Sequence, residues 1–252
     1  MSYSFKDIYS RAKAAIETDK YVIYQTLKGK IYFSGNYLLI KTMPTTIDQL
    51  DYYIEACRNF FREKEVNFVH LALPENENLD KKLKKYLLKN NFNEINFDLY
   101  HLAIENFIEQ EESPYTVEIL QKKDYSRYLE FHYKMDLEVA DEQWAEHNQN
   151  WLYENIRSEK IMQLVAKDEE KIVGVVNIIL KDESFEFDEL YVAKKYRKQG
   201  IANHIMSTAI KIFSRNNVIL VADADDTPKY MYEKFGFKKV SSQKFYLNTK
   251  NI

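Results

Sequence analysis

Two seventeen-residue stretches of this chain can be laid over each other letter by letter: YLLKNNFNEINFDLYHL, Tyr86 to Leu102, and MYEKFGFKKVSSQKFYL, Met231 to Leu247. Each reads as the end of a helix, a residue suited to a left-handed stop, and an alternating strand. Asn91 stands in the first copy where Gly236 stands in the second. A motif that recurs at this distance points to two related domains, each a mixture of strands and helices.

The flanking patterns agree. In the first half, the strand NYLLIK precedes a turn with Pro44 and a cap at Thr45 or Thr46. A helix over 47–64, the strand NFVHLAL, a helix over 79–89 and the strand NFDLYHLAI follow. The second half runs strand (YTVEIL), two helices between Asp124 and Ser158, and three strands (IMQLVAK, KIVGVVNIIL, FEFDELYV). It continues with a helix from Ala202 to Ser214, the strand NVILVAD, the short helix TPKYMYEKF and the strand SSQKFYL. The acidic, proline-containing stretch Glu105 to Pro114 reads as a linker, dividing the chain into domains 1–110 and 111–252. The expected class is α+β, a mostly antiparallel sheet flanked by helices.

Composition narrows the functional classes. The 36 basic and 39 acidic residues leave a net charge of −3, which gives no electrostatic reason to expect a nucleic-acid partner. No run of residues is long and apolar enough for a membrane span, and the first residues lack a signal-peptide centre, so a cytoplasmic protein without membrane attachment is expected. Cys57, the sole cysteine, falls on the apolar stripe Leu50, Ile54, Cys57, Phe61 and reads as a core residue. The five histidines show no metal-ligand spacing, and no metal is expected.

One loop stands out. YRKQGIA, Tyr196 to Ala202, lies between a strand and a helix. Such a junction leaves several backbone N–H groups unpaired and pointing one way, which suits phosphate. Gly200 removes a Cβ from the closest approach, Ala202 keeps the next position small, and Lys194, Lys195, Arg197 and Lys198 add attraction for an anion.

On these residues the second half resembles the GNAT superfamily of N-acetyltransferases. The family's signature, Arg or Gln, two residues, Gly, one residue, Gly or Ala, stands as Arg197, Lys198, Gln199, Gly200, Ile201, Ala202. The segments ELYVAKKYR before it and MYEKFGF about thirty residues on match two further family elements, and the likeness covers roughly residues 114–247. The resemblance implies tandem acyltransferase folds, acetyl-CoA (or coenzyme A) as cofactor, and Arg197 to Ala202 around its pyrophosphate.

It also implies that Leu190, Tyr191 and Val192 lie beside the donor, the N–H of Tyr191 or Val192 polarising the carbonyl, and that Tyr232 protonates the departing thiolate. For the base, alternation sets Glu189 with Tyr191, opposite Leu190 and Val192, which look like a core face. Glu189 is therefore preferred over Asp188. The acidic pair is similar to that of polyamine-acetylating members and suggests a cationic amine acceptor. The chain departs from the family at Asp225, where Asn is common near a cofactor contact, and at Pro228, where Ala is common.

The first half lacks the loop and has Leu87 in the place of Tyr232, so a degenerate, non-catalytic copy is expected. The reading is then acetyl transfer to a small-molecule or protein amine by a monomer or homodimer. The other class is an acyl-CoA-sensing or partner-binding protein of the same fold.

Overall fold

The structure, a computed structural model, describes residues 2–26, 30–110, 113–225 and 229–250. Pro228 lies outside them. The chain folds into two compact units. The first is Met1–Leu99, Ala222–Asp226 and Lys239–Ile252; the second is Tyr100–Val221 and Thr227–Lys238. They differ from the consecutive stretches 1–110 and 111–252, because a strand late in the sequence belongs with the first unit.

That unit holds β1 (Lys13–Glu17), β2 (Tyr21–Gln25), β3 (Tyr37–Ile40), α1 (Ile47–Arg62), β4 (Val69–Ala72), α2 (Lys81–Lys89), the start of β5 (Asn93–Ala103) and β11 (Lys238–Asn248). Its strand order is β1-β2-β3-β4-β11-β5. β3 and β4 are parallel, while β11 runs antiparallel to β4 with Phe245 opposite Ala72. Thr46 caps α1 by accepting from the Gln49 amide, and Leu50, Ile54, Cys57 and Phe61 are buried along one face as their spacing predicts. Burial among them pushes the Cys57 thiol pKa up to about 12, which makes it a packing residue. Asp80 caps α2, and the chain leaves that helix through Asn91 at φ 63°. The hairpin β1–β2 is absent from the sequence reading. β1 is exposed along its whole length, so it carries no buried alternation to detect.

The second unit holds β6 (Thr116–Ile119), α3 (Tyr125–Val139), α4 (Glu142–Ile156), β7 (Ile161–Asp168), β8 (Lys171–Leu180), β9 (Ser184–Val192), α5 (Ile201–Phe213), β10 (Asn217–Asp223) and α6 (Lys229–Lys234). Strands β6 to β9 form an antiparallel meander, and β10 returns parallel to β9 after the α5 crossover. Each sheet face has its own helices. Tyr128, Leu129 and Leu152 from α3 and α4 pack with Val165 and Val175 on one side. Ile201 and Ile205 of α5 close on Gly174 from the other, where a Cβ would lie 3.0 Å from Ile205 and 3.1 Å from Ile201. Gly236 ends α6 at φ 95°, the left-handed counterpart of Asn91.

Candidate active site

The parallel pairing of β9 with β10 runs from Ser184 opposite Asn217 to Phe187 opposite Leu220. No pairing of these two strands follows among the described residues, although β9 continues to Val192 and β10 to Asp223. The strands part there, and the backbone of β9 beyond Phe187 borders an opening.

The antiparallel ladder to β8 decides which amides face that opening. Ala193 N–H donates to the Val173 carbonyl at 2.9 Å, while Val192 lies opposite Gly174 and Tyr191 opposite Val175. Hydrogen-bonded and non-bonded pairs alternate in such a ladder, so Tyr191 N–H is directed at β8 and Val192 N–H away from it. Of the two amides the sequence left open, the geometry favours Val192.

After β9 the chain makes a tight turn, with Tyr196 N–H on the Ala193 carbonyl at 2.8 Å. Lys198 and Gly200 are then left-handed, at φ 63° and 77°, before α5 begins at Ile201. Left-handed residues two apart at a helix start turn successive N–H groups toward one concavity, the arrangement that holds anions. None of the described side chains caps these amides. A Cβ on Gly200 would meet only Ser113 Cβ, at 3.7 Å, so the glycine is required by its backbone angle and not by crowding.

An open cavity of about 330 Å³ lies against this loop, lined by Val192, Arg197, Lys198, Gly200, Ile201 and Ala202. Tyr196, Asn203 and Met231 complete the lining; none was singled out from the sequence. The strand edge and the loop amides thus open on one space, and these residues fit a long ligand with a phosphate-bearing middle. Leu190 is half-buried and does not reach the lining.

Two signature side chains serve the loop itself. Arg197 Nε donates to the Val192 carbonyl at 3.0 Å, and its guanidinium lies 5.2 Å from the centre of the Tyr191 ring. Gln199 Nε2 donates to the Lys195 carbonyl at 3.2 Å and its oxygen accepts from Tyr115 O–H. Ser113 Oγ meets His204 Nδ1 at 3.1 Å. Ser113 and Tyr115 are contributors the sequence did not announce, since they precede the loop by about eighty residues.

The acidic pair is placed by an irregularity. Between Val175 and Asn177 of β8 the register slips, and Asp188 to Tyr191 of β9 accommodate an extra residue, a β-bulge with Glu189 left-handed at φ 52°. Glu189 is exposed because of the bulge. The expectation that Leu190 and Val192 form a core face is corrected: both are only half-buried and Val192 lines the cavity, whereas Tyr191 packs beside Phe131 with the α3–α4 core. Helices cover both faces of this sheet, so simple alternation has no solvent side to select.

Tyr191 O–H donates to Glu138 Oε2 at 2.6 Å, and burial, then this bond, raises its pKa to about 12. Glu138 also pairs with Lys194 at 3.3 Å. Tyr232 is buried, its ring 5.7 Å from Tyr100 and 6.1 Å from Phe237, while its neighbour Met231 reaches the cavity. Asp225 is exposed in the first unit, its amide bonded to Asp223 Oδ1 at 2.8 Å. Among the described residues, no group of His, Cys, Asp and Glu could hold a metal, and no helix is long and apolar enough to cross a membrane.

A meander, a parting pair of parallel strands and an amide-lined loop opening a helix are the frame of an acyltransferase domain. Residues 115–248 match the acetyltransferase (GNAT) domain model, and the chain belongs to that family. Residues 3–100 match a domain of unknown function. A functionally unknown conserved protein from Staphylococcus epidermidis has the same fold, with a TM-score of 0.87 at 25% identity over 99% of this chain and 98% of that one. A GCN5-related N-acetyltransferase from Kribbella flavida gives 0.63 at 10% identity, over 95% and 90% of the two chains. A tandem GNAT protein from the clavulanic acid biosynthesis pathway gives 0.55 at 8% identity, over 84% and 74%. No curated protein matches the sequence.

Proposed function

We propose that the protein is an acetyl-CoA-dependent N-acetyltransferase that moves the acetyl group to a primary amine by direct attack. The observation that carries the reading is the placement of the left-handed Lys198–Gly200 loop and the outward Val192 amide on one cavity. The loop amides at the start of α5 hold the donor's pyrophosphate, with Lys198 adding charge. When bound, the donor supplies an activated acyl carbon and a thiolate leaving group. Val192 N–H donates to the acyl oxygen as charge gathers there. Glu189, on the exposed bulge, takes the proton the amine loses as its C–N bond forms, directly or through water. Tyr232 delivers a proton to the sulfur as the C–S bond breaks. Both this chemistry and the cationic character of the acceptor rest on the family likeness together with these positions.

Purified protein given acetyl-CoA and a panel of amines should release free thiol. Tyr232→Phe should slow that release by roughly 10²-fold or more while leaving coenzyme A affinity within about twofold. An unchanged rate removes Tyr232 from the chemistry. Because Met231 and not Tyr232 lines the cavity, a second reading has one observation in its favour, an acyl-CoA-sensing protein of the same fold. Tight coenzyme A binding with no thiol release across the panel would carry it.

A further inference from the structure

Asn177 is fully buried on β8, directly opposite Asp188 and beside the bulge of β9. Its Nδ2 donates to Glu189 Oε2 at 2.9 Å, and its Oδ1 accepts from Tyr128 O–H at 3.4 Å. The two bonds fix the carboxamide's orientation: a carboxylate can only accept, so the NH2 must face Glu189 and the oxygen must face the hydroxyl. Tyr128 has no exposed surface, and burial raises its pKa well above 10, with the charges of Glu189 and Asp188 adding to the effect. It is therefore a neutral donor, rooted in the core between α3 and the sheet.

The chain Tyr128, Asn177, Glu189 runs from the rigid interior to an exposed side chain whose backbone is left-handed at φ 52°. A glutamate gains nothing from that conformation by itself, and the strain requires support from outside the strand. Asn177 supplies the support from the adjacent strand.

Resting on the proposed chemistry, we infer that Asn177 is a positioning residue that holds the Glu189 carboxylate in its charged form and in a fixed place at the mouth of the strand opening. A hydrogen bond to the charged form of an acid favours that form. Loss of the amide therefore lets Glu189 take up a proton at higher pH and swing away from the amine.

The test is Asn177→Leu, which keeps the branched shape and removes both polar atoms, read against Glu189→Gln and the double variant. Two measurements separate the claims. In the first, the titration midpoint of Glu189 is followed by carbon NMR of the labelled side chain in the native and the Asn177→Leu full-length proteins. A rise of about half a unit or more is expected, and an unmoved midpoint overturns the inference whether or not the protein transfers acyl groups.

In the second, thiol release by Asn177→Leu should fall roughly tenfold or more, its acidic limb moving to higher pH, with coenzyme A affinity unchanged. Adding Asn177→Leu to Glu189→Gln should cost less than twofold further; equal losses in both backgrounds mean that Asn177 does not act through Glu189 and also overturn the inference. Should Asn177→Leu fail to fold, Asn177→Ser takes its place in both measurements. A shifted midpoint in a protein that shows no transfer sinks the enzymatic reading and leaves the positioning intact.

Discussion

Substituting Gly200 by alanine tests the central loop with a single methyl group. The new Cβ would have ordinary van der Waals contact with Ser113, 3.7 Å away, so crowding contributes nothing. What remains is the backbone. At φ 77° an L-residue is disfavoured by roughly 1–2 kcal/mol. That free energy must appear in one of two places. If the loop keeps its shape, the melting temperature falls by about 2–8 °C for a chain of this size, with coenzyme A affinity preserved. If the loop relaxes to a negative φ, stability is kept and the amide concavity is lost, weakening coenzyme A binding by about 5- to 30-fold. Differential scanning calorimetry and titration calorimetry on the same preparation read both quantities. A variant unchanged in both would refute the placement of the anion site. Lys198→Gly is the complementary change: at φ 63° it relieves strain and should raise the melting temperature or leave it unchanged.

Two further outcomes follow from the packing. Gly236→Ala sits at φ 95°, and its Cβ would collide with the Asn106 carbonyl. The expected loss is about 3 kcal/mol, seen as a melting point lower by roughly 6–12 °C; a loss no larger than that of Gly200→Ala would show that the collision is relieved cheaply. His132, buried with neither ring nitrogen bonded, has its pKa lowered to about 3 by burial, against about 6.5 in the unfolded chain. A depressed folded value means that stability is full above about pH 6.5 and is lost as pH falls toward 3. His132→Phe should flatten that decline in a series of melts between pH 7 and 4, whereas parallel curves would show that other groups set the acid limit.

The order of elements was legible because each left its own local mark: β-branched runs in β7 and β8, a 3.6-residue stripe in α5, left-handed stops at Asn91 and Gly236. The Lys198–Gly200 loop was legible for the same reason, since its glycine answers to a local backbone angle. Tertiary pairing left no such mark. Nothing near Glu189 in the sequence announces the bulge, which depends on the register of β8 and on a buried asparagine twelve positions away. The crossing of the late strand into the first unit left no mark for a similar reason, because a strand's neighbours are set by the whole sheet and not by its place in the sequence.

The pairing of β11 with β4 bears on how the molecule is made. Gln243 donates to the Leu73 carbonyl at 2.8 Å across 170 positions of sequence. During synthesis at about 5–20 residues per second, β4 must therefore wait many seconds with one edge unsatisfied. The amino-terminal unit is consequently completed late, and a ribosome stalled before the final strand would present a bare sheet margin on which chaperones or sister chains can fasten.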